Sequence, residues 1–199
     1  MPYVLIDRSF RDLPANFVGV DDEEVGRLAT EHLISIGRGR IAHIRGPEVS
    51  TAMGRLEGYR RTLASHNLDA PAAYVVSGKS IDDEGDVSGQ ESMKRLLALD
   101  PRPDAVFCYN DPTAMGALRA ILESGLRVPE DVAVIGCGNV HYADLLSVPL
   151  SSVDQDSTGI GEHAARLALS LVEAKGTSVR PKSVLLQPKV VARASTLGI

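Results

Sequence analysis

The chain has 199 residues, room for one large domain or two small lobes. A hydrophobic share of 44% and a charged share of 24% are ordinary for a globular protein. The net charge of -5 argues against nucleic-acid binding by this chain itself, and no apolar run reaches the roughly 18 residues of a membrane span.

In chain order, Tyr3 to Ile6 reads as a strand. Met1 to Arg8 lacks the basic and long apolar regions of a secretory leader, so a cytoplasmic location is expected. Val25, Leu28, Ala29, Leu33 and Ile36 follow helical spacing, with Asp21 or Asp22 as start signal and Gly37 as stop. Ile41 to Ile44 is a strand, and Arg55 to Leu63 a helix. Ala73 to Val76 is a strand, and a helix carrying Val87, Met93 and Leu97 follows. Ala105 to Tyr109 is a strand, and the helix with Met115, Leu118 and Leu122 closes at Gly125. Val132 to Ile135 is the next strand. Residues 137–156 form a long, turn-rich connection, and a helix burying Ile160, Ala164, Leu167 and Leu171 follows. Residues 183–193 close the chain as a strand, with Pro188 marking an edge or bulge. Repeated β-α units predict an α/β protein, a parallel sheet with helices on both faces.

No enzyme constellation stands out. Gly37-Arg38-Gly39-Arg40 lacks the spacing of a phosphate loop, and no serine sits in a nucleophile elbow. The five histidines show no metal-ligand spacing, so no metal and no cofactor is expected. Asp82, Asp83 and Glu84 read as a solvated helix start. Cys108 and Cys137 read as buried free thiols. The absence of Trp removes the usual platforms for stacking nucleic-acid bases.

Polar residues at strand ends are the better candidates, because open α/β sheets place ligands at the carboxyl ends of their strands. Asp7 follows the first strand. Ser50, Thr51 and Arg55 follow the strand at Ile41, and Asn110 and Asp111 the strand at Ala105. Asn139 follows the strand at Val132, and Gln155 lies in the long connection. With the aromatic ring of Phe107 these could form a pocket for a small, polar, uncharged, hydroxylated molecule. Asp111 reads either as a ligand group or as the helix N-cap. Arg55 reads either as a ligand group or as a surface salt bridge, although its charge near a helix N-terminus opposes the helix dipole.

These pieces resemble the LacI/GalR family of bacterial transcription regulators. The resemblance runs through Val18-Gly19-Val20-Asp21, Gly26-Arg27-Leu28-Ala29, Gly37-Arg38-Gly39-Arg40-Ile41 and Gly54-Arg55-Leu56-Glu57-Gly58-Tyr59. It continues through Pro103-Asp104-Ala105-Val106-Phe107, Asn110-Asp111, Gly125 to Gly136 and Pro149 to Asp156. It implies a periplasmic-binding-protein-like fold of two lobes joined by three crossings. The C-terminal lobe would be residues 18–146 plus 178–199 and complete, and the N-terminal lobe a remnant of residues 1–17 plus 147–177. It implies effector contacts at Asp7, Thr51, Arg55, Phe107, Asn110 and Gln155.

Two departures stand out. Gly138 occupies a position where the family commonly has a ligand-anchoring carboxylate, which shifts attention to Asn139 or Asn110. The family's helix-turn-helix segment has no counterpart here, so the chain is expected to be a fragment. The expected function is the effector-binding and dimerisation region of a repressor that senses a sugar or related metabolite. The protein would act as a homodimer and reach operator DNA only through a DNA-binding domain missing from this chain. The alternative is the solute-binding protein of a sugar transporter.

Overall fold

The computed structural model describes residues 3–10, 13–77, 85–173 and 181–198. Asp82, Asp83 and Glu84 lie outside them.

Two sheets organise the chain. Strands β1 (Val4–Ile6), β2 (Asn16–Val20) and β8 (Ser183–Leu186) form a three-stranded parallel sheet in the order β1-β2-β8. The larger sheet has the order β4-β3-β5-β6-β7-β9, from β3 (Ile41–Arg45), β4 (Val75–Ser77), β5 (Ala105–Cys108), β6 (Ala133–Cys137), β7 (Ser151–Asp154) and β9 (Lys189–Val191). All its pairs are parallel except β7–β9, which departs from the expected parallel sheet.

Side chains alternate across a pleated strand, so each buried strand feeds two cores. Ala105, Phe107, Ala133 and Ile135 point to one face. There they meet Val25, Ala29 and Leu33 of α1 (Asp22–Ser35) and Tyr59 and Leu63 of α2 (Ser50–Ser65). Val106, Cys108, Val132 and Val134 point to the other face. There they meet Met93 and Leu96 of α3 (Gly85–Leu97) and Ala117, Leu118 and Ile121 of α4 (Asp111–Glu123). Helix α5 (Ser157–Glu173) lays Ile160, Ala164 and Leu167 on Val4, Val18 and Val184 of the small sheet. The short α6 (Ala194–Leu197) closes the described fold.

Sheet membership moves the expected lobe boundaries. Strand β2 and residues 157–173 and 183–186 go with the small sheet, whereas β7 and β9 go with the large one. The chain therefore passes between sheets after Val20, at Gln155–Asp156, and at Gln187–Pro188. Residues 183–193 are not one strand, because Pro188 cannot donate to a ladder and sits at the last passage. Residues 137–156 are not structureless, since they contain β7. Residues 72–74 form a single 3-10 turn rather than strand.

Candidate functional site

Chain order sets the location. After β3 the chain adds β4 on one side and then β5 on the other, so the strand order reverses between β3 and β5. Helices α2 and α4 leave from the carboxyl ends of those strands and diverge to opposite faces. Such a reversal opens a crevice at the strand ends.

Arg55, in the second turn of α2, lies at that crevice and is 3% exposed. Its Nε donates to Asp22 Oδ1 at 3.0 Å and its Nη1 to the Tyr109 carbonyl at 2.7 Å. The guanidinium carbon sits 4.9 Å from the centre of the Tyr109 ring. Nη2 finds no acceptor among the described residues. The salt-bridge reading of Arg55 is therefore half right: the pair exists, but it is buried. Desolvation raises Asp22 to about 6, more than Arg55 lowers it, and the nearby Asp7 and Asp21 carboxylates raise it further. Asp21, not Asp22, caps α1, accepting from Glu23 N at 3.0 Å and Glu24 N at 3.4 Å.

Thr51 is buried at the start of α2, its Oγ1 3.0 Å from the Tyr109 hydroxyl. The Tyr109 ring lies so close to Gly46 that a Cβ there would come within 2.6 Å of it. Asn110 is the N-cap of α4, its Oδ1 accepting from Thr113 N at 2.9 Å, which leaves Nδ2 as a free donor among the described residues. The N-cap reading of Asp111 is thereby corrected. Asp111 is fully buried and faces the loop after β6, where Oδ1 accepts from Ser152 Oγ at 2.7 Å and Oδ2 from Val140 N at 2.8 Å. Burial raises its pKa, against those two bonds.

Gln155, at the passage to α5, ties the two sheets together. It accepts from Cys137 Sγ at 3.3 Å and donates to Asp7 Oδ1 at 3.5 Å. Asp7 holds a left-handed φ of 63° at the end of β1. Asn139 also has positive φ, 49°, and its backbone N donates to Ser152 Oγ at 2.9 Å. Gly138 has φ 124°, a conformation that side-chain-bearing residues rarely adopt, so the glycine suits the loop.

Asp7, Thr51, Arg55, Asn110, Asn139 and Gln155 thus gather around one set of strand ends, with Asp7 contributed from the small sheet. Phe107 does not join them. It is fully buried inside β5 and stacks on His43 with ring centroids 4.7 Å apart. Tyr109, one residue past the strand, supplies the aromatic face instead. Sequence reasoning missed Asp22 and Tyr109 as site groups. The adjacent pair Asp21-Asp22 was the available signal, since one aspartate suffices for a cap.

Both cysteines are buried and free, as expected, and burial pushes Cys137 up to about 12. Among the described residues no group of His, Cys, Asp and Glu could hold a metal ion, and no helix is long and apolar enough to cross a membrane. A groove of about 320 Å³ lined by Arg45, Pro47, Met53, Leu56 and Arg60 opens near the site, but none of the gathered residues lines it.

Two α/β sheets linked by three passages, with a buried guanidinium and several amides at the strand ends, define the periplasmic-binding-protein-like class. The chain belongs to the periplasmic binding protein-like domain family, matched over residues 30–196, and within it to the LacI family. A regulatory protein of the LacI family from Chloroflexus aggregans is 32% identical with a TM-score of 0.86 over 98% of this chain and 68% of that one. The transcriptional regulator CelR in complex with cellobiose is 34% identical with a TM-score of 0.87, over 98% of this chain and 58% of that one. The HTH-type transcriptional repressor PurR of Mannheimia succiniciproducens is 34% identical over 100% of this chain and 58% of that protein. The chain therefore spans a little over half the length of the curated relatives it matches.

Proposed function

We propose that this chain is the effector-binding and dimerisation region of a cytoplasmic LacI-type transcriptional repressor. A small neutral ligand, a sugar or related metabolite, binds between the two sheets. Its occupancy changes the affinity of a homodimer for operator DNA, which a separate domain contacts. Two binding equilibria are then coupled through one structure. The observation that carries the reading is Arg55, buried at the strand-order reversal with Nη2 unengaged. Around it stand donors at Asn110 and Asn139 and carboxylates at Asp7 and Asp22, the alternation of donors and acceptors that hydroxyls match. The names of the relatives, repressors rather than enzymes or transporter components, support regulation over transport.

Isothermal calorimetry tests this with a panel of neutral sugars, cellobiose included, and purine bases. At least one should bind the wild-type chain, and Arg55→Lys should bind it at least about tenfold more weakly, the worth of one lost charged hydrogen bond. A chain that binds none of the panel, or a variant with unchanged affinity, overturns the reading.

A further inference from the structure

Asn139 stands on the loop after β6 with its side-chain carbonyl already taken. Arg193, the N-cap residue of α6, donates from Nη2 to Asn139 Oδ1 at 2.8 Å and from Nη1 to the Leu150 carbonyl at 2.7 Å. A guanidinium has no acceptor, so the contact settles which end of the amide faces Arg193. The Asn139 Nδ2 group therefore points away from Arg193, and it finds no acceptor among the described residues.

The backbone of the same loop is fixed separately. Asn139 N donates to Ser152 Oγ, Ser152 Oγ donates to Asp111 Oδ1, and Asp111 Oδ2 accepts from Val140 N. Loop backbone and amide orientation thus have different keepers. Arg193 is also tied to β7, beside that loop. It follows β9, which pairs antiparallel with β7, and its backbone N donates to Ser151 Oγ at 2.7 Å.

We propose that Arg193 is a positioning residue of the ligand site: it turns the Asn139 amide so that Nδ2 is presented to ligand. The proposal rests on the effector-binding reading above for the ligand, but not for the geometry.

The test uses the 199-residue chain and Arg193→Lys. Lysine keeps a donor for the buried Leu150 carbonyl, but its single nitrogen cannot stand at both the Nη1 and Nη2 positions, so the rigid fork that fixes the Asn139 amide is lost. In the ligand-free protein, heteronuclear relaxation of the Asn139 side-chain amide should show it ordered in the wild type and mobile in the variant. The backbone amides of Asn139 and Val140 should stay ordered in both. An equally ordered side-chain amide in a folded Arg193→Lys chain overturns the proposal. Cellobiose, or whichever panel member binds, then serves as probe. Arg193→Lys and Asn139→Ala should each weaken it about tenfold, and the double variant should be no weaker than Asn139→Ala. Additive losses overturn the proposal. If no panel member binds the wild type, the functional reading falls, and the amide relaxation still decides the role of Arg193.

Discussion

Arg55 is held by a carboxylate on one side and a carbonyl on the other, and removing it exposes both contacts to different penalties. Arg55→Ala would leave Asp22 as an unpaired, largely buried carboxylate. Breaking such a pair by deleting one partner costs about 3–5 kcal/mol. Urea unfolding at pH 7.5 should show a loss of at least about 3 kcal/mol, and a smaller loss at pH 5, where Asp22 takes up a proton. Equal losses at both pH values would mean that the carboxylate is not the source. The pH dependence of the parent chain has opposed contributors: burial lowers the pKa of His32 and raises that of Asp111, and His43 and Asp22 form a second opposed pair. His43 is enclosed between Tyr59 and Phe107, donates from Nδ1 to the Phe107 carbonyl, and has a buried Nε2 with no partner. Burial lowers its pKa from 6.5 to about 3, so the fold favours neutral imidazole. The unfolded chain therefore takes up the proton first, and His43 removes stability as pH falls below 6.5. Asp22 has the opposite sign. Its pKa is raised from 3.8 to about 6, so the folded chain takes up the proton first, and acidification through 6 restores stability. Between pH 6.5 and 5 the two nearly cancel. Asp22→Asn removes one of them, and that variant should lose roughly 1 kcal/mol more than the wild type over this interval. Parallel pH profiles in the two proteins would refute the assignment.

At the scale of elements, glycines set how near the helix pairs approach. A Cβ on Gly26 of α1 would overlap the backbone carbonyl of Arg55, and one on Gly58 of α2 would overlap the carbonyl of Glu23. The α1–α2 contact that places the Arg55 guanidinium is therefore made of bare backbone. Gly26→Ala must push α2 outward and carry Arg55 with it. It should cost about 1–3 kcal/mol in urea unfolding, the range for overpacking, and weaken ligand binding as well. Gly161, on the exposed side of α5 with open space around it, is the control, and Gly161→Ala should add roughly 0.5–1 kcal/mol. If Gly26→Ala behaves like Gly161→Ala, the close approach is not real. The same elements show what could be read in advance. The strand-to-helix switch at Asn110–Asp111 and the charge at the start of α2 were legible because both are local signals. Phe107 misled because parity puts it on the same face as Tyr109. Parity does not say that α1 and α2 cover the first residue and leave the second beyond the strand. Strand β7 was hidden because Ser151 and Ser152 look like loop residues. They are fully buried only because Ser195, Thr196, Arg193 and Asp111 satisfy them from distant positions. The Asp22–Arg55 pair, 33 residues apart, has the same non-local origin.

Over the whole molecule, the described residues expose apolar side chains on several elements, Met53 of α2 and Leu169 and Val172 of α5 among them, and two further places are candidates for association. On the small sheet Ile6 is 51% exposed and Leu185 53%. On the α3–α4 side Leu122 is 42% exposed and Leu145, in the loop between β6 and β7, is 79% exposed. The second place is better prepared to associate. Leu145 N donates to the Tyr142 carbonyl, and Leu150 N donates to the carbonyl of buried Ala143, so backbone hydrogen bonds brace the loop that presents Leu145. Preorganised surfaces associate more strongly because less conformational freedom is lost on binding. The family resemblance implies a dimer contact near the helix at Met115 to Leu122 and the loop at His141 to Leu146, so the homodimer proposed above should use the α4 side. Burying two leucine side chains contributes about 3 kcal/mol or more, so replacing both with aspartate should raise the dimer dissociation constant at least about 100-fold. Light scattering over a concentration series should show the wild-type chain as a dimer and Leu122→Asp/Leu145→Asp as a monomer, with Leu185→Asp still dimeric. Dissociation by Leu185→Asp alone would place the interface on the small sheet instead.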